Sequence, residues 1–146
     1  MVDDPSSILT ALYAAWAAQD IEMTLIYCSD DIRYTVHSPE GISGVGGVMQ
    51  GKASLRAYLT AVCGVWDFVE IMSGDLTPNV ADDPELVRES MRFRAVHRLT
   101  GLPLDGRKRH VWRVHNGRVV ECDEFQDAMT IKTFLEMARW QVDARN

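Results

Sequence analysis

The sequence predicts a single α+β domain in which a curved antiparallel sheet, covered by N-terminal helices, wraps an internal pocket. Three observations predict it. Helical periodicities precede a run of strands instead of alternating with them, which is the order of an α+β fold and not of a doubly wound parallel sheet. The strands alternate apolar and polar residues, so one face meets a core and the other meets water. The apolar face also carries a few polar side chains that a filled core would not need, the composition of a ligand pocket.

Bulk properties narrow the class. A chain of 146 residues is expected to form one domain, residues 1–146. With 47% hydrophobic and 25% charged residues it has the profile of a globular protein. A net charge of −6 argues against nucleic acid or an anionic membrane as partner. The three cysteines, Cys28, Cys63 and Cys122, are odd in number and not spaced as a metal or redox pair, which predicts free thiols in a reducing compartment. Met1-Val2-Asp3-Asp4-Pro5 lacks the basic and apolar regions of a secretory signal. No apolar run approaches the roughly 20 residues of a membrane span. A cytoplasmic protein is expected.

The elements follow from local chemistry. Asp4-Pro5 reads as a helix start, with Ile8, Leu9, Leu12, Tyr13 and Trp16 recurring at helical spacing. A short second helix runs through Met23, Ile26 and Tyr27, punctuated by Ser29-Asp30-Asp31. A strand over 32–37 turns Ile32, Tyr34 and Val36 one way. Residues 38–51 contain five glycines and read as a loop. Gly46 to Ala53 nearly matches a phosphate-binding loop but ends in Ala where a hydroxyl is needed. Leu55, Tyr58, Leu59 and Val62 mark a third helix, and Phe68, Val69 and Ile71 open a strand. Ala81-Asp82-Asp83-Pro84 is a turn. Strands follow over 86–100, 107–115 and 118–126. Asp127 caps a last helix with Ile131, Phe134, Leu135 and Ala138 on one face.

The strands' two faces locate the pocket. Over 86–100, Met91, Phe93, Ala95, His97 and Leu99 share one face; Arg88, Arg92, Arg94 and Arg98 share the other. The apolar face looks inward, and the arginines form a solvated face or a dimer interface. In the next strand Lys108, His110, Trp112 and Val114 look inward. The last strand has two possible registers. A two-residue turn at Asn116-Gly117 would turn Glu121 and Asp123 inward; a longer turn with Gly117 as a bulge would turn Val120, Cys122, Glu124 and Gln126 inward. The second is expected, because it buries one carboxylate instead of two and sets Asp123 opposite Arg109.

Certain segments are shared with a known family. They are Asp20-Ile21-Glu22, Asp30-Asp31, Gly51-Lys52 through Tyr58-Leu59, the run from Val111 to Val120, and Phe125-Gln126-Asp127. In this order the chain resembles the nuclear-transport-factor-2-like superfamily, nearest its ketosteroid-isomerase-like and SnoaL-like polyketide-cyclase branches. The resemblance implies a cone-shaped half-barrel, often a homodimer. Leu12, Val36 and His110 stand where steroid isomerases carry a tyrosine, an aspartate base and an acid, which implies a different chemistry. His97 stands where scytalone-dehydratase-like members carry a catalytic histidine. Glu124 stands where limonene-epoxide-hydrolase-like members carry a carboxylate.

The expected site follows. His97 and His110, titrating near 6.5 when unperturbed, are the candidate acid and base. Glu124, in an apolar cavity, is expected to have a raised pKa and to assist them. Trp16, Tyr34, Phe93, Lys108, Trp112, Cys122 and Gln126 are the expected substrate-binding walls. Two histidines and a carboxylate could bind a metal, but no His-x-His spacing supports it, so neither metal nor cofactor is expected. The expected function is acid–base chemistry on a small apolar, oxygenated ligand; the alternative is a non-catalytic binding or sensing domain on the same fold.

Overall fold

A computed structural model describes residues 4–37 and 47–145. Asp4 starts the first helix, α1 (Pro5–Ala17), by accepting a hydrogen bond from the Ser7 N–H at 2.9 Å. One face of α1 buries Ile8, Leu9, Leu12, Tyr13 and Trp16, as their spacing predicts. Asp20 caps α2 (Ile21–Ile26) through the Met23 N–H. Met23 and Ile26 are 44% and 50% exposed, and the buried residues of this helix are Thr24 and Leu25. A helix this short has little periodicity to read, and Leu25 sets its inner side.

The first strand, β1 (Cys28–His37), begins earlier than expected, with Ser29-Asp30-Asp31 inside it. Ile32, Tyr34 and Val36 are buried on its inner face. Of the expected glycine-rich loop, residues 38–46 lie outside the described residues. Residues 47–50 are not loop but β2 (Gly47–Gln50), paired antiparallel with β1. Helix α3 (Lys52–Val65) buries Leu55 and Leu59. There follow β3 (Trp66–Ser73), β4 (Thr77–Pro78), a 3₁₀ turn at Val80–Asp82, β5 (Leu86–His97), β6 (Pro103–His115), β7 (Arg118–Gln126) and α4 (Ala128–Arg145). Asp127 accepts hydrogen bonds from the backbone and hydroxyl of Thr130, which caps α4.

The strands form a curved, unclosed sheet in the order β2-β1-β7-β6-β5-β3, with β4 on β5. It is mixed, not wholly antiparallel, because β1 and β7 run parallel. Local turn chemistry cannot reveal this pairing, since most of the chain separates the two strands. Leu99 was expected on the inner face but is 73% exposed. β5 ends at His97, and the chain reverses there through a Gly101 N–H to His97 carbonyl hydrogen bond of 2.7 Å.

The last hairpin corrects the expected turn while keeping most of the expected inner face. Asn116 and Gly117 form a two-residue turn with φ of +50° and +75°, pairing His115 with Arg118. The bulge sits one step further on. Arg113 pairs with Glu121 and Val114 with Val119, leaving Val120 as the extra residue. Val119, not Val120, is therefore buried, and Cys122 and Glu124 turn inward. Asp123 faces Val111, and its carboxylate meets His37 at 2.8 Å; Phe125, not Asp123, stands opposite Arg109.

The left-handed turn gives a direct check. Gly117→Val should destabilise the fold by about 1–2 kcal/mol, since a β-branched residue resists positive φ. Urea unfolding should show a lower midpoint at unchanged slope.

Candidate active site

Strand alternation and register assemble the site. On β6, every second residue from Lys108 through His110 to Trp112 turns inward, and their partners on β7 are Gln126, Glu124 and Cys122. β1 adds Tyr34 beside Cys122, β5 adds Glu89 opposite His110, and α1 lays Tyr13 across Trp112.

Glu124 is the centre. Its Oε1 meets His110 Nε2 at 3.1 Å and accepts the Tyr34 hydroxyl hydrogen bond at 2.5 Å. Its Oε2 accepts a hydrogen bond from Gln126 Nε2. Lys108 Nζ stands 3.9 Å from Oε1. On the other side of His110, Nδ1 lies 3.1 Å from the Tyr13 hydroxyl and 3.8 Å from Glu89 Oε1. Tyr13 in turn accepts the Trp112 indole hydrogen bond at 3.1 Å. Both ring nitrogens of His110 and both oxygens of Glu124 thus have partners within the protein.

The electrostatics reverse one expectation. Burial alone would raise the Glu124 pKa, as predicted from sequence. The charge of Lys108, the hydrogen bond and charge of His110, and the Tyr34 hydroxyl outweigh it and hold Glu124 well below the carboxylate range. For His110, burial favours the neutral ring. The hydrogen bond and charge of Glu124, with the nearby Glu89 carboxylate, overcome it and raise the pKa above 6.5. Both shifts favour the charged forms, carboxylate and imidazolium. Burial pushes the Cys28 thiol up to about 11 and raises those of Cys63 and Cys122, so all three cysteines are thiols at neutral pH.

Among the described residues, two adjoining chambers reach the cluster. The inner one, of about 50 Å³, ends on Tyr13, Trp16, Tyr34, His110, Trp112 and Glu124. The outer one, of about 380 Å³, is walled by residues including Trp66, Phe68, Phe93 and Gln126, and is covered by Ile131 and Leu135 of α4. Tyr58, Val62 and Lys108 line both and form the neck.

The sequence-predicted residues divide accordingly. His110, Glu124, Tyr34, Trp16 and Trp112 meet in the inner chamber, Phe93 and Gln126 in the outer, and Lys108 at the neck. Cys122 is fully buried behind the wall. His97 lies apart: its Nδ1 meets Thr100 Oγ1 at 2.8 Å, and its ring packs edge-on against Trp66 and Phe134. It lines neither chamber, so two histidines and a carboxylate do not converge. Sequence reading missed Glu89, Tyr13 and Tyr58 as site residues. Glu89 had a usable signal, since it stands two residues before Met91 on the same alternation. Tyr13 and Tyr58 sit within apolar helical stripes that read as core.

The ion pair has a defined pH signature. Glu124's contribution to stability is present above its unfolded pKa of 4.5 and is lost as pH falls through its lowered folded value. That of His110 is complete below its unfolded pKa of 6.5 and is lost as pH rises through its raised folded value. The thermal midpoint should therefore decline on the alkaline side of 6.5, and His110→Gln should flatten that decline. Glu124→Ala, which strands the buried cations, should cost about 3–5 kcal/mol in denaturant unfolding.

Comparison with known proteins places the domain. The SnoaL-like domain family matches residues 9–122. No match is found among curated proteins. Among solved structures, an NTF2-like protein from Burkholderia thailandensis is similar at 22% identity and a TM-score of 0.74, over 90% of this chain and 97% of that one. TerC, co-crystallised with polyporic acid, is similar at 19% identity and a TM-score of 0.72, over 92% and 98%. A protein from Catenulispora acidiphila with a ketosteroid isomerase-like fold, in complex with trimethylamine, is similar at 14% identity and a TM-score of 0.66, over 80% and 82%. At these identities the structures share the fold, and the family match covers most of the chain. With its half-open sheet, covering helices and inward polar cluster, the chain belongs to the SnoaL-like domain family.

Proposed function

We propose that this domain binds a small, largely apolar, oxygenated molecule and performs cofactor-independent acid–base chemistry on it, of the kind used in isomerisation, dehydration, cyclisation or epoxide opening. One observation carries the reading: a buried His110–Glu124 pair, 3.1 Å apart, lining an apolar cavity. The chamber sizes support a division of the ligand. Its ring-sized body fits the outer chamber, and only a polar edge enters the inner one. The polyporic acid held by TerC supports a carbon-rich, oxygenated ligand here as well.

Glu124 is the proton acceptor in this scheme. It borders the inner chamber and is ionised throughout the neutral range. His110 acts through it as a positioning residue, because both its nitrogens are engaged. A proton leaving an activated carbon is received by Glu124 and returned at a different atom. His97 has no place at the reacting atoms; its packing on Phe134 supports a role in seating α4 over the outer chamber.

A second reading, non-catalytic ligand binding on the same fold, is favoured by the internal satisfaction of Glu124 and His110. Exchange of α-carbon protons for deuterium in a panel of apolar ketones, followed by NMR, separates the two. Catalysis predicts exchange that Glu124→Gln slows by about 10²-fold or more and that His97→Ala leaves nearly intact. Ligand binding without exchange supports the second reading.

The reading also includes a cytoplasmic homodimer joined through the outer sheet face, where Arg88, Arg92, Arg94 and Arg98 are exposed. Sedimentation velocity should then give a dimer, and Arg92→Glu should shift it toward monomer.

A further inference from the structure

Lys108 is not accounted for by the proton-transfer pair. Its side chain is 8% exposed, and its Nζ stands 3.9 Å from Glu124, beyond hydrogen-bond range. Among the described residues Nζ makes no hydrogen bond. Its other contacts are the faces of Phe68 and Phe93, with ring centroids at 5.6 and 5.3 Å. Two aromatic faces offset part of the cost of burying an ammonium. They leave its three N–H donors unspent, and a buried polar group normally finds partners. Lys108 also lines both chambers, so a ligand spanning the neck passes it.

Phe93 takes up its position because residue 106 is glycine. The two are direct partners across β5 and β6, and a Cβ on Gly106 would fall 2.2 Å from the Phe93 ring. The ring lies over bare backbone, which leaves the outer chamber open and puts an aromatic face under Lys108. Any side chain at 106 would drive the ring from both places.

We propose that Lys108 is the binding site for an anionic oxygen, the enolate or phenolate of an acidic ligand, and that Gly106, by holding Phe93 aside, sets the size of the ring system accepted. This rests on the reading that the cavity binds a ligand, and it names the ligand's class. The geometry around the site allows it. Glu124 is hydrogen-bonded by His110, Tyr34 and Gln126, so Lys108 acts on it through charge alone and its N–H donors stay available to a ligand. When Glu124 takes up a proton, an oxyanion beside Lys108 replaces the charge lost. Lys108 then stabilises the same oxygen before and after proton transfer, and Gly106 is a specificity-determining residue outside the proton path.

Absorbance titration of bound para-nitrophenol and of its biphenyl homologue tests both parts without requiring turnover. In the wild-type protein the bound nitrophenol should ionise about one to three pH units below the free compound. Lys108→Arg should keep that displacement and Lys108→Met should abolish it. Gly106→Ala should weaken the biphenyl ligand by about tenfold or more while affecting the single-ring ligand far less. Nitrophenol that binds as the neutral form, or as phenolate equally well to Lys108→Met, overturns the anion site. Equal weakening of both ligands by Gly106→Ala overturns the size-setting role. If Lys108→Met does not fold, the wild-type displacement and its retention in Lys108→Arg still decide the first part. The deuterium-exchange experiment judges acid–base catalysis independently, so phenolate binding without exchange refutes that catalysis and leaves the anion site standing.

Discussion

The pairing of β7 with β6 governs the rest of the site. The bulge at Val120 shifts β7 by one residue after the hairpin turn. Without it, the Asn116-Gly117 turn would send Glu121 and Asp123 inward and Glu124 outward, because side chains alternate across a strand. With it, Glu124 stands directly opposite His110, and Tyr34 approaches from the parallel strand β1. One extra residue decides which carboxylate is buried, and hence where the charge of the site lies.

Burying Glu124 forces compensation from its surroundings. An isolated carboxylate in an apolar cavity would protonate. Here His110, Tyr34, Gln126 and the charge of Lys108 keep it ionised, and Glu89 and Tyr13 hold the far nitrogen of His110. Two acids and two bases are thus interleaved in a space with almost no solvent. Each charge is tolerable because the others are present, so the cluster behaves as a unit. This is why the His110 and Glu124 pKa values move in opposite directions, both toward the charged forms.

The walls do different work from the cluster. α1 and α3 close the inner chamber with aromatic and aliphatic side chains, while α4 covers the outer one with Ile131 and Leu135. Phe134 of α4 rests on Trp66 and His97, so His97 supports the wall from behind without lining either chamber. The cavity narrows from a ring-sized space to one only slightly larger than water, and Lys108 stands where it narrows. Shape orients the ligand, and charge acts on the end that is oriented.

By itself the sequence determined most of the helices and long strands and the faces of several. The stripe of α1, the inward sides of β5 and β6, and the caps at Asp4 and Asp127 follow from local periodicity and hydrogen-bond chemistry, and the structure has them. His110, Tyr34, Trp112 and Lys108 were legible as inward residues for that reason, whereas periodicity left Glu124 open between two registers of β7. Tertiary structure alone decided the rest. The parallel pairing of β1 with β7 and the Val120 bulge join segments through backbone geometry that no local pattern encodes. The separation of His97 from His110 depends on how far apart two inward positions lie along a sheet, which alternation cannot state. The lowered pKa of Glu124 depends on donors from β1, β6 and β7 meeting at one carboxylate. Periodicity specifies which way a side chain points, but what it meets there is set by strands distant in sequence.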